Sequence, residues 1–232
     1  MRFSRALLIA CLAALGAVMP AIAAQAAKPT SGTAAKKVMA TISLIEDNLT
    51  STRYQHFTVV NPKKGIFHWD CSGMVEWILK KAAPRARSVL SDKHPTAREF
   101  HTVISNRSTD KPHKGWLRLH GPKSMEPGDV FAWIKPSFWK HRKNTGHVGI
   151  VLSAARPHPS QANVWLLDVA DSSRYLHEND SRPPDGKGGY GTGTMAFLFG
   201  EDGTALAYGW YGTEQSVDTY VATSIVFGRV VK

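Results

Sequence analysis

Trp69-Asp-Cys-Ser-Gly-Met-Val-Glu-Trp-Ile-Leu-Lys-Lys-Ala-Ala83 is the stretch on which the fold turns. Met74, Val75, Ile78, Leu79 and Ala82 fall on one face at helical spacing, so the segment from Cys71 to Ala83 is expected to be an amphipathic helix. Asp70 is a good N-cap, Lys80 and Lys81 suit the C-terminal end, and Pro84 limits further extension. Upstream, Val38, Met39, Ile42, Ile45 and Leu49 predict another helix from Ala34 to about Ser51. Asn61-Pro-Lys-Lys-Gly65 signals a loop, and Pro95–Ile104 reads as a third, shorter helix. Beyond residue 128 the period changes. Asp129–Ile134, His147–Leu152, Val164–Ala170, Thr194–Phe199 and Thr223–Val231 are short, branched or aromatic, and bounded by Gly, Pro, Asn and Asp. Helices first and strands afterwards is an α+β layout, with N-terminal helices packed on a mostly antiparallel β-sheet. No internal repeat is visible, so residues 34–232 read as a single domain.

The chain has 232 residues, 43% of them hydrophobic and 20% charged, which is enough apolar material for a sizeable core. Residues 1–26 read as a secretory signal peptide: Arg2 and Arg5, an apolar run from Ala6 to Ala24, and small-residue exits at Ala21-Ile-Ala23 and Ala24-Gln-Ala26. A retained anchor is the rival, opposed by Pro20 and the alanine-rich exit. A lipoprotein reading of Leu8-Ile-Ala-Cys11 fails because the apolar run continues past the cysteine. Residues 27–33 read as a linker. Export to the periplasm, the envelope or the medium is the expectation. Losing Arg2 and Arg5 lowers the formal charge from +11 to +9, and losing Cys11 leaves a single thiol, Cys71. One thiol cannot form an internal disulfide, and in an oxidising compartment it is a liability unless buried or chemically employed.

Cys71 falls in the first turn of its helix, where unsatisfied N–H groups and the dipole favour an anion. With a basic partner such a setting lowers a thiol pKa toward roughly 3.5–7.5. Gly73 is expected to keep the approach to the sulfur open. A thiol nucleophile needs an imidazole and a third group to orient it. His94, His113, His120, His141, His158 and His177 sit in polar stretches and read as solvated, whereas His147 opens the apolar strand His147-Val-Gly-Ile-Val-Leu152. Gly149, on the same face, is expected to make room for a helix. The next strand, Val164-Trp-Leu-Leu-Asp-Val-Ala-Asp171, offers two carboxylates. Antiparallel pairing brings its end beside the start of the previous strand, and Asp171 shares a face with Trp165, Leu167 and Val169. Asp171 is therefore favoured as the orienting group, with Asp168 as runner-up.

Together these segments resemble the NlpC-type, papain-like cysteine peptidases that cut bacterial cell-wall peptides. The resemblance rests on Asp70-Cys71-Ser72-Gly73, on Met125-Glu-Pro-Gly-Asp-Val-Phe131, and on Gly146-His-Val-Gly-Ile-Val151, and covers Tyr54 to Ser173, about half the chain. It implies a papain-like fold, Cys71 as nucleophile, His147 as general base, and peptidoglycan stem or cross-link peptides as substrate, with no cofactor or metal. It also makes Tyr54 a candidate for binding the oxyanion, beside Asp70, Ser72, Gly73 and the helix-start N–H groups. Two departures stand out. Arg85–Lys123 looks like an insertion, and the third catalytic position is often histidine in that family and comes sooner after the base. The tail from Asp180 onward has no counterpart there.

Other motifs carry less. Gly186-Lys-Gly-Gly-Tyr-Gly191 has dinucleotide-fingerprint spacing but follows Pro183-Pro184 rather than a strand. Ser137-Phe-Trp-Lys140 matches one element of penicillin-binding enzymes without its Lys-Thr-Gly companion. No zinc motif is present. The basic balance suits anionic envelope polymers better than nucleic acid if the chain is exported. Of the seven tryptophans, Trp77 and Trp165 read as core rather than sugar-stacking. The expectation is an exported monomeric cysteine hydrolase with a Cys71-His147-Asp171 triad. The alternatives are an amidase or acyltransferase using the same thiol on another substrate, and a non-catalytic envelope-binding protein.

Overall fold

The computed structural model describes residues 32–91, 93–140 and 144–232. The expected signal peptide at 1–26 and nearly all of the linker lie outside the described residues, as does His141. Among the described residues no helix is long and apolar enough to cross a membrane.

The architecture is α+β. Helix α1 (Thr33–Asn48) begins inside the expected linker and buries Val38, Ile42 and Ile45. Helix α2 (Cys71–Ala82) starts at Asp70, whose carboxylate accepts the Gly73 N–H at 2.8 Å. Pro84 ends α2 because it has no N–H to continue the ladder, yet it suits the first turn of the short helix α3 (Pro84–Arg87). Helix α4 (Ala97–Ser105) is capped by Thr96, whose hydroxyl accepts the Glu99 N–H. A small sheet, unread in the sequence, surrounds the Asn61–Gly65 turn. It contains β1 (Ser51–Tyr54), β2 (Val59–Asn61) and β3 (Ile66–Trp69), with β1 parallel to β3.

The large sheet has nine strands among the described residues. They are β4 (Trp116–Leu119), β5 (Val130–Ile134), β6 (Gly146–Val151), β7 (Arg156–Pro157), β8 (Val164–Ser173), β9 (Gly189–Phe199), β10 (Ala205–Gly209), β11 (Val221–Ala222) and β12 (Ile225–Val230). Their order is β11-β10-β9-β8-β6-β5-β12-β4, with β7 beside β8, and every pairing is antiparallel. The sheet curls enough for Trp133 of β5 to stack on Tyr208 of β10 at 4.1 Å.

Alternation along the strands then makes two main cores among the described residues, with a small third cluster of Val164, Leu166 and Ala196. Val130, Ala132, Val148, Ile150 and Ala170 face the helices and join Met74, Val75, Ile78 and Phe100. Phe131, Trp133, Val151, Leu167, Val169, Phe197 and Phe227 fill the concave face. Residues 85–123 belong to this frame rather than decorating it. Trp116 is fully buried and donates its indole N–H to the Ala86 carbonyl at 2.8 Å, and Phe100 and Ile104 are fully buried. Burying each such side chain stabilises by about 1.5–3 kcal/mol. Strand β4, from the same segment, covers the edge of β12.

Candidate active site

The site forms where α2, on one side of the sheet, meets the rim of the concave face on the other. Cys71 occupies the first helical position of α2 and is 7% exposed. The N–H groups of Val148 and Ser72 are directed at its sulfur. Val148 follows His147 in β6, so the thiol lies against the strand that carries His147. Both Cys71 and His147 line one cavity of about 810 Å³.

His147 projects onto the concave face, where its ring packs against Trp133 at 4.9 Å and Trp210 at 5.3 Å. Its Nε2 is 2.6 Å from Oδ2 of the fully buried Asp171. A carboxylate only accepts, so Nε2 carries the proton and Nδ1 is left as the basic nitrogen. The register Ile150↔Ala170 and Val151↔Val169 brings the end of β8 beside the start of β6, as the antiparallel argument required. Asp168 points elsewhere: both its oxygens take a guanidinium N–H of Arg156 at 2.9 Å, and Thr194 also donates to it. It does not line the cavity.

Several expectations need correction. Burial, and next the Asp70 carboxylate, push the Cys71 thiol well up, and the two N–H groups aimed at the sulfur only partly offset this. A helix start was expected to lower that pKa; desolvation of a nearly inaccessible sulfur outweighs it. Gly73 lines the cavity with Cys71, and its bare backbone makes room for the Thr58 hydroxyl, which a Cβ would meet at 2.5 Å. Its N–H is also committed to Asp70. Gly149 makes room not for a helix but for the Phe131 ring, which a Cβ would meet at 2.5 Å. Trp77 and Trp165 are only partly buried, the fully buried tryptophans being Trp69, Trp116 and Trp133.

The histidines read as solvated also divide. His158 is buried, accepting the N–H groups of Ser160 and Gln161 on Nδ1. His177 is buried beside the proposed triad, its Nε2 3.0 Å from the same Asp171 oxygen that His147 uses. Arg182 reaches the other oxygen at 3.0 Å, as an ion contact rather than an aligned hydrogen bond. Burial alone would raise the Asp171 pKa, but His177, Arg182 and His147 hold the carboxyl well below its usual range. The sequence did carry a signal for this cluster. In Gly189-Tyr-Gly-Thr-Gly193, glycines recur on alternate residues of a strand. A Cβ at Gly191 would strike Arg182, and one at Gly193 would strike His177. The run marks close approach to a packed polar cluster, not a phosphate loop.

The remaining walls come from distant segments. Tyr54, Asp70, Ser72 and Gly73 all line the cavity, as do Thr58 and His56. Burial raises the Tyr54 phenol pKa, so it stands there as a neutral O–H donor. Arg174 lies over the Tyr54 ring at 5.4 Å. His94, Pro95, Thr96 and Ala97 contribute a wall from the apparent insertion, and Tyr208, Trp210 and Tyr211 one from the tail. Among the described residues, no group of His, Cys, Asp and Glu side chains is arranged to hold a metal.

Comparison with known proteins adds a distant relative. An uncharacterized protein of Acanthamoeba polyphaga mimivirus is 24% identical over 181 residues, spanning 69% of this chain and 77% of its own. No family model and no solved structure matches the chain.

Proposed function

We propose that the protein is a cysteine hydrolase of the NlpC-type, papain-like kind, cleaving amide bonds in peptidoglycan stem or cross-link peptides. The observation that carries the chemistry is Cys71 at a helix start, lining one cavity with His147, whose Nε2–H is held by Asp171. The substrate class comes from the resemblance, the expected export and the basic charge.

The steps follow from the protonation pattern. As Sγ attacks the carbonyl carbon, its proton passes to Nδ1 of His147 and the C=O pair moves onto oxygen. In this reading the Cys71 N–H and the Tyr54 O–H hold that oxyanion, both residues lining the cavity. Collapse breaks the C–N bond, and His147 gives the proton to the departing amine. Water then loses a proton to His147 and attacks the thioester. Carboxylate leaves, and the sulfur regains its proton. Because the thiol starts protonated, His147 acts as a general base during attack rather than as half of a preformed ion pair.

The test is to incubate the protein with purified sacculi beside Cys71→Ala. Release of soluble fragments by the wild type alone supports the thiol mechanism, equal release by both would sink it, and mass spectrometry of the fragments identifies the bond.

A further inference from the structure

His177 is the buried titratable group that the proposed steps do not use. Its side chain is fully inaccessible and its ring packs on Trp210 at 4.2 Å. Nε2 lies 3.0 Å from Asp171 Oδ2, and Nδ1 lies 3.2 Å from the Trp210 carbonyl oxygen. Both neighbours can only accept, whereas a neutral imidazole has one N–H to offer. Satisfying both contacts takes two N–H groups, which is the imidazolium.

The surrounding charges agree. From β8 comes Asp171. From the following loop come Asp180, which accepts the His177 backbone N–H at 2.7 Å, and Arg182, which bridges Asp180 and Asp171. From β6 comes His147, and from β9 the Tyr190 phenol, kept neutral by burial and by Glu46. Glu178, next in the chain, is occupied by Thr213. Two buried carboxylates against Arg182 alone leave one negative charge uncompensated, which is costly away from water. A second cation at His177 balances them.

Resting on the hydrolase reading, we propose that His177 is a positioning residue held as an imidazolium, sharing Asp171 with Arg182 so that His147 rests as the neutral base. Without that cation, the field of Asp171 would fall on His147 and draw a proton to it, creating the imidazolium–thiolate pair that the buried sulfur now avoids.

Two measurements test this. The first is nitrogen NMR of uniformly labelled wild-type protein, with the His177 ring assigned through bond correlations. Both ring nitrogens should carry a proton at neutral pH, as the two acceptors that face them require. One bare nitrogen there overturns the proposal. The second is the pH profile of Cys71 alkylation by iodoacetamide in wild type and His177→Gln. Glutamine keeps a donor but not the charge, so the proton drawn to His147 puts a cation beside the sulfur and the profile should move to lower pH by about one unit, the scale of gaining a neighbouring opposite charge. An unmoved profile, a move to higher pH, or a uniform slowing at every pH overturns it. Neither readout needs turnover. Failure here leaves the hydrolase reading standing, while Cys71→Ala retaining full fragment release would remove that reading without touching the NMR result.

Discussion

Asp171 accepts from two imidazoles on one oxygen and meets a guanidinium on the other, so its charge is tied to the folded state. The sign follows from its depressed pKa. The stabilisation is fully present above the unfolded value of about 3.9 and is lost as pH falls through the lower folded value. We expect Asp171→Asn to cost about 3–5 kcal/mol near neutrality, because His177 and Arg182 lose their buried counter-charge. In urea unfolding, the gap to wild type should narrow as the pH is taken below the ordinary carboxylate range. Turnover should fall by about 10²–10⁴-fold through loss of the oriented base. At Cys71, burial raises the pKa, so alkylation at neutral pH should be slower than that of a free thiol and should accelerate only above about pH 8.5. A rate already saturated at pH 7 would contradict it. Cys71, His147 and Asp171 were legible because N-caps and strand parity are local. His177 was not, since Trp210 and Gly193, which bury it, lie far along the chain.

The polar cluster depends on the bare backbone of β9. Gly191→Ala would put a methyl group 2.5 Å from the Arg182 side chain, which cannot retreat while it is bound to Asp171 and Asp180. We expect a loss of about 1–3 kcal/mol, as for other overpacking changes, measurable by thermal or urea unfolding. Helices α2 and α3 are joined by a different buried pair: Glu76 accepts the Nε and Nη2 N–H groups of Arg87, at 3.2 and 2.5 Å. Glu76→Ala should cost about 3–5 kcal/mol by stranding that guanidinium, whereas removing the exposed Lys80 that also meets Glu76 should cost about 1 kcal/mol or less. Strands β5, β6 and β8 and helices α1, α2 and α4 could be read from periodicity because each is long enough to show one. The strands β1, β2, β3 and β4 have three or four residues each, too few to show a period, and they persist through pairing with their neighbours.

The layout of helices on an antiparallel sheet was visible from the order of periods along the chain. Its curl was not, because curl depends on contacts such as Trp133 with Tyr208 between strands far apart in sequence. For the same reason residues 85–123 looked like an insertion. Deleting them should give a protein without cooperative unfolding, since Phe100, Ile104 and Trp116 would leave the core and β12 would lose its edge partner; circular dichroism against urea reads this directly. The buried, protonated state of Cys71 has a final consequence. Peroxide attacks thiolates, so a sulfur kept as S–H and nearly out of reach is slow to climb from sulfenic to irreversibly oxidised acids. Burial of the sulfur thus gives the resting protein a long chemical lifetime.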